Sequence, residues 1–491
     1  MAEIRKSKSK NRNSFPTSGS VFHEFRVSNF ESRRSAIANQ KSPIRLAALA
    51  ALSILYFSLC GQTQDSTSAA DRHVVVISVD GMRASTYVAL SPPARIPNLL
   101  RLKEEGSFAE GVEGVYPTVT YPSHTTIVTG RMPAEHGIYT NLSSRQPGKN
   151  PNDWFWLADT IKVPALWDEA RQHHLTSGAV SWPVTVHAAI DWNVPEVWDP
   201  TKGPTADFFY LAKFMDPLLG AELLGALGPP QPGADTDTQK TLLAAYLIKT
   251  HKPNLMLVHL DAVDEAGHEH GPLSAEATTA LEHVDARIGE ILAAVKEAGL
   301  AASTDVFVIS DHGFLPVERQ IRPNVLLTKA GLLTVDDRGE VTGGKVATVS
   351  NGGSFFIYWP EGMNLKGEVV TALSPLVDQR LVWGVLDRPA LRDLGAEPAA
   401  QMALEAADGT AFVSNARGEL VTRLEPPRGT HGYLPFRQGL EASFIAWGPH
   451  IKSGLDLHRV PMTRVGPTLL KAMGIKDPTF GKEPPLAEIF K

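Results

Sequence analysis

The stretch "HVVVISVDGM" at residues 73–82 constrains the fold of this chain more than any other. Its first seven residues form an apolar, mostly β-branched run ending in an acid and a glycine, the pattern of a parallel strand covered on both faces. Two further runs repeat the design, "NLMLVHLD" at 254–261 and "DVFVISDHG" at 305–313. Between these two lies "SAEATTALEHVDARIGEILAAVKEAG", in which Leu281, Val284, Ile288, Ile291 and Val295 recur at helical spacing. Ser274 is placed to cap that helix and Gly299 to end it. Strands joined by helical crossovers predict an α/β protein, a mostly parallel sheet with helices on both faces.

Residues 320–427 break the pattern. They hold short strand-like pieces, "GGSFFIYW" and "TAFVSN", many Gly and Pro turns, and a helical stretch expected over about 390–406. We read them as an inserted subdomain of mixed structure within a core of residues 71–319 and 428–491. "SFIAWGPH" at 443–450 is expected as a late core strand.

Residues 1–70 have a different character. A basic, Ser- and Asn-rich segment precedes the uncharged run "LAALAALSILYFSLC", which is about fifteen residues long and short for a membrane span. A secretory signal ending between Cys60 and Ala70 fits this pattern, as does an uncleaved signal anchor; Cys60 is a candidate for lipidation, though "FSLC" is a poor match to the small-residue pattern usual before such a cysteine. Either reading puts the body outside the cytoplasm, secreted or periplasmic; cleavage, the first reading, leaves no spanning segment in the mature chain, whereas an uncleaved anchor or a lipid on Cys60 would tether it. Cys60 is the one cysteine, so neither an internal disulfide nor a thiolate-rich metal site is available. The net charge of −6 gives no reason to expect a nucleic-acid polymer as partner.

Each buried run ends in carboxylates: Asp80, then Asp261 and Asp264, then Asp311. Ligands of open parallel sheets bind at the carboxyl ends of strands. Asp264 and His268 are four residues apart, which puts them on one face of a helical turn. Asp311 and His312 leave a strand side by side, and His431 sits in the Gly-flanked "RGTHGYLP". Carboxylate plus imidazole without thiolate suits zinc, ahead of manganese or iron. Six such residues suffice for two ions, the usual arrangement for displacement at phosphorus.

"VTYPSHTTIVTG" supplies a candidate nucleophile. A metal-bound hydroxyl ionises far more readily than a free one. The segment also reads as a helix start with Thr120 at the N-cap, where amide N–H groups favour an anion. Thr120 is the first candidate and Thr118 the second.

These motifs together resemble the alkaline phosphatase superfamily, and within it the nucleotide pyrophosphatase/phosphodiesterase branch. "VISVDGMR", "TYPSHTTIVTGRMPAEHGIYTN", "DEAGHEHGP", "ISDHGF" and "THGY" fall in family order over roughly residues 73–470. The resemblance implies an alkaline-phosphatase-like core and two Zn2+ ions. Asp80, Asp311 and His312 would hold the ion that binds Thr120, and Asp264, His268 and His431 the other. It implies in-line attack by Thr120, a covalent phospho- or nucleotidyl-threonine and its hydrolysis, with Asn141 donating to a phosphoryl oxygen. The implied substrate is a small phosphate diester or pyrophosphate, a nucleotide among them; Tyr121, Trp154 and Trp156 are candidates to stack a base. No sulfatase-type element accompanies the nucleophile, and no Lys-x-Arg element between Asn141 and Asp264 favours a monoester. A phosphomonoesterase or phosphonate hydrolase on the same scaffold is the alternative, and an inactive phospho-ligand-binding relative the alternative of another class.

Overall fold

The computed structural model describes residues 68–91, 93–143, 154–199, 208–229 and 235–491. The basic N-terminal segment, the apolar run and Cys60 lie outside them.

The strand His73–Val79 lies inside an eight-stranded sheet, between Leu255–Leu260 and Thr304–Ile309, and runs parallel to both. Ser177–Val180 and Trp192–Val194 extend the sheet beyond Leu255–Leu260, again in parallel. On the other side Phe444–Trp447 runs antiparallel to Thr304–Ile309 and to the short strand Ser107–Phe108, and Leu455–Asp456 closes that edge. The three apolar runs thus lie side by side at the centre, where a strand must be apolar on both faces.

Period-2 alternation divides their side chains between two cores. Val74 and Val76 pack on one face with Trp167, Leu469 and Leu470. Val75, Ile77 and Val79 pack on the other with Leu281, Val284, Ile288 and Ile291. Those last four residues belong to the helix Ala275–Glu297, which Ser274 caps by accepting the Ala277 N–H at 3.0 Å. Gly299 follows its end at φ +75°, in the left-handed region that a side chain disfavours. Truncating a buried residue such as Ile288 to Ala would cost about 2–5 kcal/mol.

A second set of sheets lies beyond residue 314. Ala347–Ser350, Ser354–Tyr358, Met402–Ala406 and Val382–Asp387 form an antiparallel four-stranded sheet around Phe355, Ile357, Leu373 and Leu404. Leu315–Ile321 pairs with Val421–Thr430 across both ends of the segment expected as an insertion. The helix expected over about 390–406 is corrected: a short helix, Arg388–Asp393, is followed by Met402–Ala406 as a strand. Gly395 at φ +64° ends the helix, and the apolar "MALEA" fills the centre of the sheet, buried on both faces.

Candidate active site

The carboxyl ends of the three central strands open onto one cluster. Asp80 follows His73–Val79, and the next residue, Gly81, turns at φ +69°. A Cβ on Gly81 would lie 2.9 Å from the Phe314 ring and 3.2 Å from the Asp264 Cα, so the turn requires glycine. Its N–H donates to Asp311 Oδ1 at 3.1 Å, tying the first strand end to the third. Asp264 and His268 lie on the helix Ala262–His270, which leaves the second strand. His431 follows the strand Val421–Thr430.

The three imidazoles share one hydrogen-bonding pattern, each with Nδ1 on a backbone carbonyl. His312 Nδ1 donates to Gly313 O at 3.1 Å, His431 Nδ1 to Thr118 O at 2.9 Å, and His268 Nδ1 to Gly429 O at 3.3 Å. Each carbonyl fixes the tautomer that leaves Nε2 as the electron-pair donor, as a backbone acceptor at Nδ1 does for metal-ligating histidines. His312 Nε2 lies 3.3 Å from Asp80 Oδ1 and 3.1 Å from Asp311 Oδ2. His431 Nε2 lies 3.6 Å from Asp264 Oδ1, while His268 Nε2 lies 3.5 Å from Asp264 Oδ2 and 3.1 Å from His431 Nε2. The His312 and His431 rings stack at 3.7 Å.

The ligating atoms of Asp80, Asp311 and His312 lie within 4.8 Å of one another, as do those of Asp264, His312 and His431. The first group is the triad expected from sequence. In the second, His312 stands where His268 was expected; His268, partly exposed, lies 3.5 Å from Asp264 and 3.1 Å from His431. All six residues therefore form one continuous cluster.

Four buried atoms in it have no hydrogen-bond partner: Asp80 Oδ1, Asp264 Oδ1, Asp311 Oδ2 and His312 Nε2. Desolvation and the neighbouring Asp80 charge push Asp264 and Asp311 well above the usual carboxylate range. Desolvation pulls His312 down to about 4 and holds His431 well below its ordinary value. Asp80 is also desolvated, but His259, His312 and His124 outweigh that and hold its pKa low. Crowded carboxylates beside neutral imidazoles with orphaned lone pairs fit a divalent cation, which keeps the acids ionised and uses the imidazoles neutral.

Thr120 opens the helix Thr120–Thr129 as its first helical residue, so the sequence expectation of Thr120 as N-cap is off by one. Val119, extended at ψ 159°, is the cap and offers no side-chain hydrogen bond, which leaves the Thr120 hydroxyl uncommitted to capping. One turn on, His124 ties the helix to the strand ends. Its Nδ1 is 2.9 Å from Thr120 O and 3.7 Å from Asp311 Oδ2, and its Nε2 is 2.8 Å from Ser78 Oγ. Asn141 accepts the Tyr121 N–H through Oδ1 at 2.9 Å, which leaves its amide NH2 as a donor beside Thr120.

Thr118, the second threonine, has a different task. Its hydroxyl donates to Tyr433 O at 3.0 Å and accepts the Gly432 N–H at 3.0 Å, and its carbonyl receives His431 Nδ1. It clamps the His431 loop. The aromatic candidates also divide. Tyr121 and Trp156 are buried, and Tyr121 donates its hydroxyl to Glu196 at 2.9 Å, so neither presents a free stacking face. Trp154 is half-exposed, 5.4 Å from Tyr121 and 4.6 Å edge-on from Trp198.

Sequence reasoning missed His259, Glu196 and Trp198. His259 Nε2 lies 3.0 Å from Asp80 Oδ2, and its Nδ1 lies 2.7 Å from Glu196 Oε2 and 3.0 Å from Ser181 O. Burial opposes its charge, but the Glu196 and Asp80 carboxylates win and raise its pKa well above the ordinary value. The available signal was one histidine inside an otherwise apolar strand.

Known proteins resemble this chain in sequence and in fold. The family model described as type I phosphodiesterase / nucleotide pyrophosphatase matches residues 74–434. Human ectonucleotide pyrophosphatase/phosphodiesterase family member 1 is 27% identical over 252 residues, 49% of this chain and 23% of its own length. An uncharacterised pyrophosphatase/phosphodiesterase of Schizosaccharomyces pombe is 26% identical over 317 residues, 58% of this chain and 56% of its own. The matches thus span a quarter to about half of the curated relatives' length. Among solved structures, an inactive variant of murine ectonucleotide pyrophosphatase/phosphodiesterase 5 in complex with AMP superposes with a TM-score of 0.62 at 19% identity. That match covers 86% of this chain and 100% of the other, and establishes the shared fold.

Proposed function

The chain belongs to the type I phosphodiesterase / nucleotide pyrophosphatase family, and from that premise we propose that it hydrolyses phosphodiester or pyrophosphate bonds of small molecules, nucleotides among them, through a phospho-threonine at Thr120. The observation that carries this reading is the shared hydrogen-bonding pattern of His268, His312 and His431. Each is held at Nδ1 by a backbone carbonyl, and their Nε2 atoms face the carboxylates of Asp80, Asp264 and Asp311.

Asp80, Asp311 and His312 would hold one divalent ion with Thr120, and Asp264, His268 and His431 a second; zinc suits this donor set. Such ions lower the pKa of a coordinated hydroxyl and neutralise charge on a phosphoryl group. The chain's own residues do the rest. Thr120 Oγ attacks phosphorus, forming a Thr120 O–P bond as the bond to the leaving oxygen breaks. Water then displaces Thr120 and restores its hydroxyl. Asn141, fixed by the Tyr121 N–H, donates its amide to a phosphoryl oxygen in both steps. Trp154 and Trp198 form an aromatic rim for the organic part of the substrate. The ectonucleotide names of the relatives support action outside the cytoplasm, in keeping with the apolar run before Cys60. No helix among the described residues is long and apolar enough to cross a membrane.

The test is hydrolysis of bis-p-nitrophenyl phosphate, p-nitrophenyl-TMP and p-nitrophenyl phosphate under one set of conditions. Preference for either diester supports the reading. Preference for the monoester replaces it with the phosphomonoesterase alternative.

A further inference from the structure

One carboxylate outside the ligand set reaches both Asp80 and the Thr120 helix, each through one intervening side chain. Glu196 follows the strand Trp192–Val194 at the sheet edge, and its side chain is 13% exposed. Its Oε2 lies 2.7 Å from His259 Nδ1, and that ring places Nε2 3.0 Å from Asp80 Oδ2. Its Oε1 accepts the Tyr121 hydroxyl at 2.9 Å. Tyr121 is the residue after Thr120, and its backbone N–H holds Asn141.

We propose that Glu196 is a positioning residue that sets Asp80 through His259 and the first turn of the Thr120 helix through Tyr121. The assignment rests on the two-metal reading above. Glu196 Oε2 and the Ser181 carbonyl on one ring nitrogen and Asp80 Oδ2 on the other hold the His259 ring between the two strand ends. His259 then occupies Asp80 Oδ2, and Asp80 Oδ1 is the oxygen left without a partner, 3.3 Å from His312 Nε2. Without Glu196 the ring keeps only the Ser181 carbonyl at Nδ1, and Asp80 can rotate to offer either oxygen. The same loss frees the Tyr121 hydroxyl, and with it the ring that packs 5.4 Å from Trp154. A pair serving packing alone needs no second arm, whereas here each oxygen serves a different part of the site.

The test is competition for Zn2+ between the protein and a chromogenic chelator, for wild type, Glu196→Gln, Glu196→Ala and Tyr121→Phe, with thermal unfolding of the metal-free proteins alongside. Loss of a partner behind a metal ligand typically weakens binding about 10–100-fold. Glu196 stands behind that partner, His259, so Glu196→Ala should weaken one of the two ions by up to about tenfold and leave the other within about twofold. Glu196→Gln keeps the size and one acceptor, so it should weaken the same ion by less; it carries the test if the alanine variant does not fold. Tyr121→Phe should leave both affinities unchanged and lower kcat. Unchanged affinities in both Glu196 variants overturn the assignment, and so does equal weakening of both ions with a lowered unfolding temperature. A wild type that holds less than one ion per chain fails the two-metal reading itself, which separates the two failures.

Discussion

Asn141 Oδ1 accepts the backbone N–H of Tyr121 at 2.9 Å, so the asparagine that neighbours the Thr120 helix is already oriented. One end of its amide is anchored and the other is left to donate. Asn141→Ala should lower kcat by about 10²–10³-fold, the range for loss of one preorganised donor to a developing oxyanion. Metal content should stay at the wild-type level, read by elemental analysis of the same samples. Asn141→Asp should be worse, since it sets a negative charge against the phosphoryl group.

The two threonines predict opposite phenotypes. Thr120→Ala should abolish turnover while metal content stays nearly intact, because all six carboxylate and imidazole side chains of the cluster remain. Thr118→Ala removes the hydroxyl that joins Gly432 N–H to Tyr433 O, and so loosens the loop that presents His431. It should keep measurable turnover and release its metal more readily to a chelator. Reversed outcomes in a side-by-side assay would exchange the roles.

Trp154 is the half-exposed aromatic beside the nucleophile, whereas Tyr121 and Trp156 are buried. Base stacking on such a ring is worth about 1–3 kcal/mol, or roughly 5–150-fold in affinity. Trp154→Ala should raise KM for p-nitrophenyl-TMP by an amount in that range and change it little for a diester without an aromatic or base. Steady-state kinetics on the two substrates reads this directly.

His136 ties stability to pH away from the reaction centre. It is fully buried; Nδ1 accepts the Ile138 N–H at 3.1 Å and Nε2 lies 3.1 Å from Thr126 Oγ1. Desolvation pulls its pKa down to about 3, so the folded ring is neutral where the unfolded one, near 6.5, already takes a proton. In that window the unfolded state binds more protons, so stability is full above about pH 6.5 and falls as pH drops toward 3, by about 1.4 kcal/mol per pH unit at most. Urea titrations between pH 7 and 5 should show a wild-type slope that exceeds that of His136→Gln by up to this amount, with the variant less stable at pH 7.

The residues that make up the cluster were legible because chemistry and topology coincide in the sequence. Asp80, Asp264 and Asp311 end apolar runs, and only a parallel sheet brings three such ends together. His268 could be paired with Asp264 from helical spacing alone. What escaped depends on contacts between distant strands. His259 meets Asp80 across neighbouring strands and Glu196 across 63 residues of chain, and inside "LMLVHLD" it reads as part of a core. Thr118 looked like a weaker copy of Thr120, since its clamp on Gly432 and Tyr433 spans more than 300 residues. The segment 402–406 read as helix because a short apolar run buried on both faces carries no period to tell strand from helix.

Counting the metal ions that the purified protein retains tests the central claim most directly. Elemental analysis after exhaustive dialysis in chelator-free buffer should find about two divalent ions per chain, zinc foremost, as the donor set requires. Less than one tightly held ion per chain, in a protein that is folded, would contradict the two-metal account.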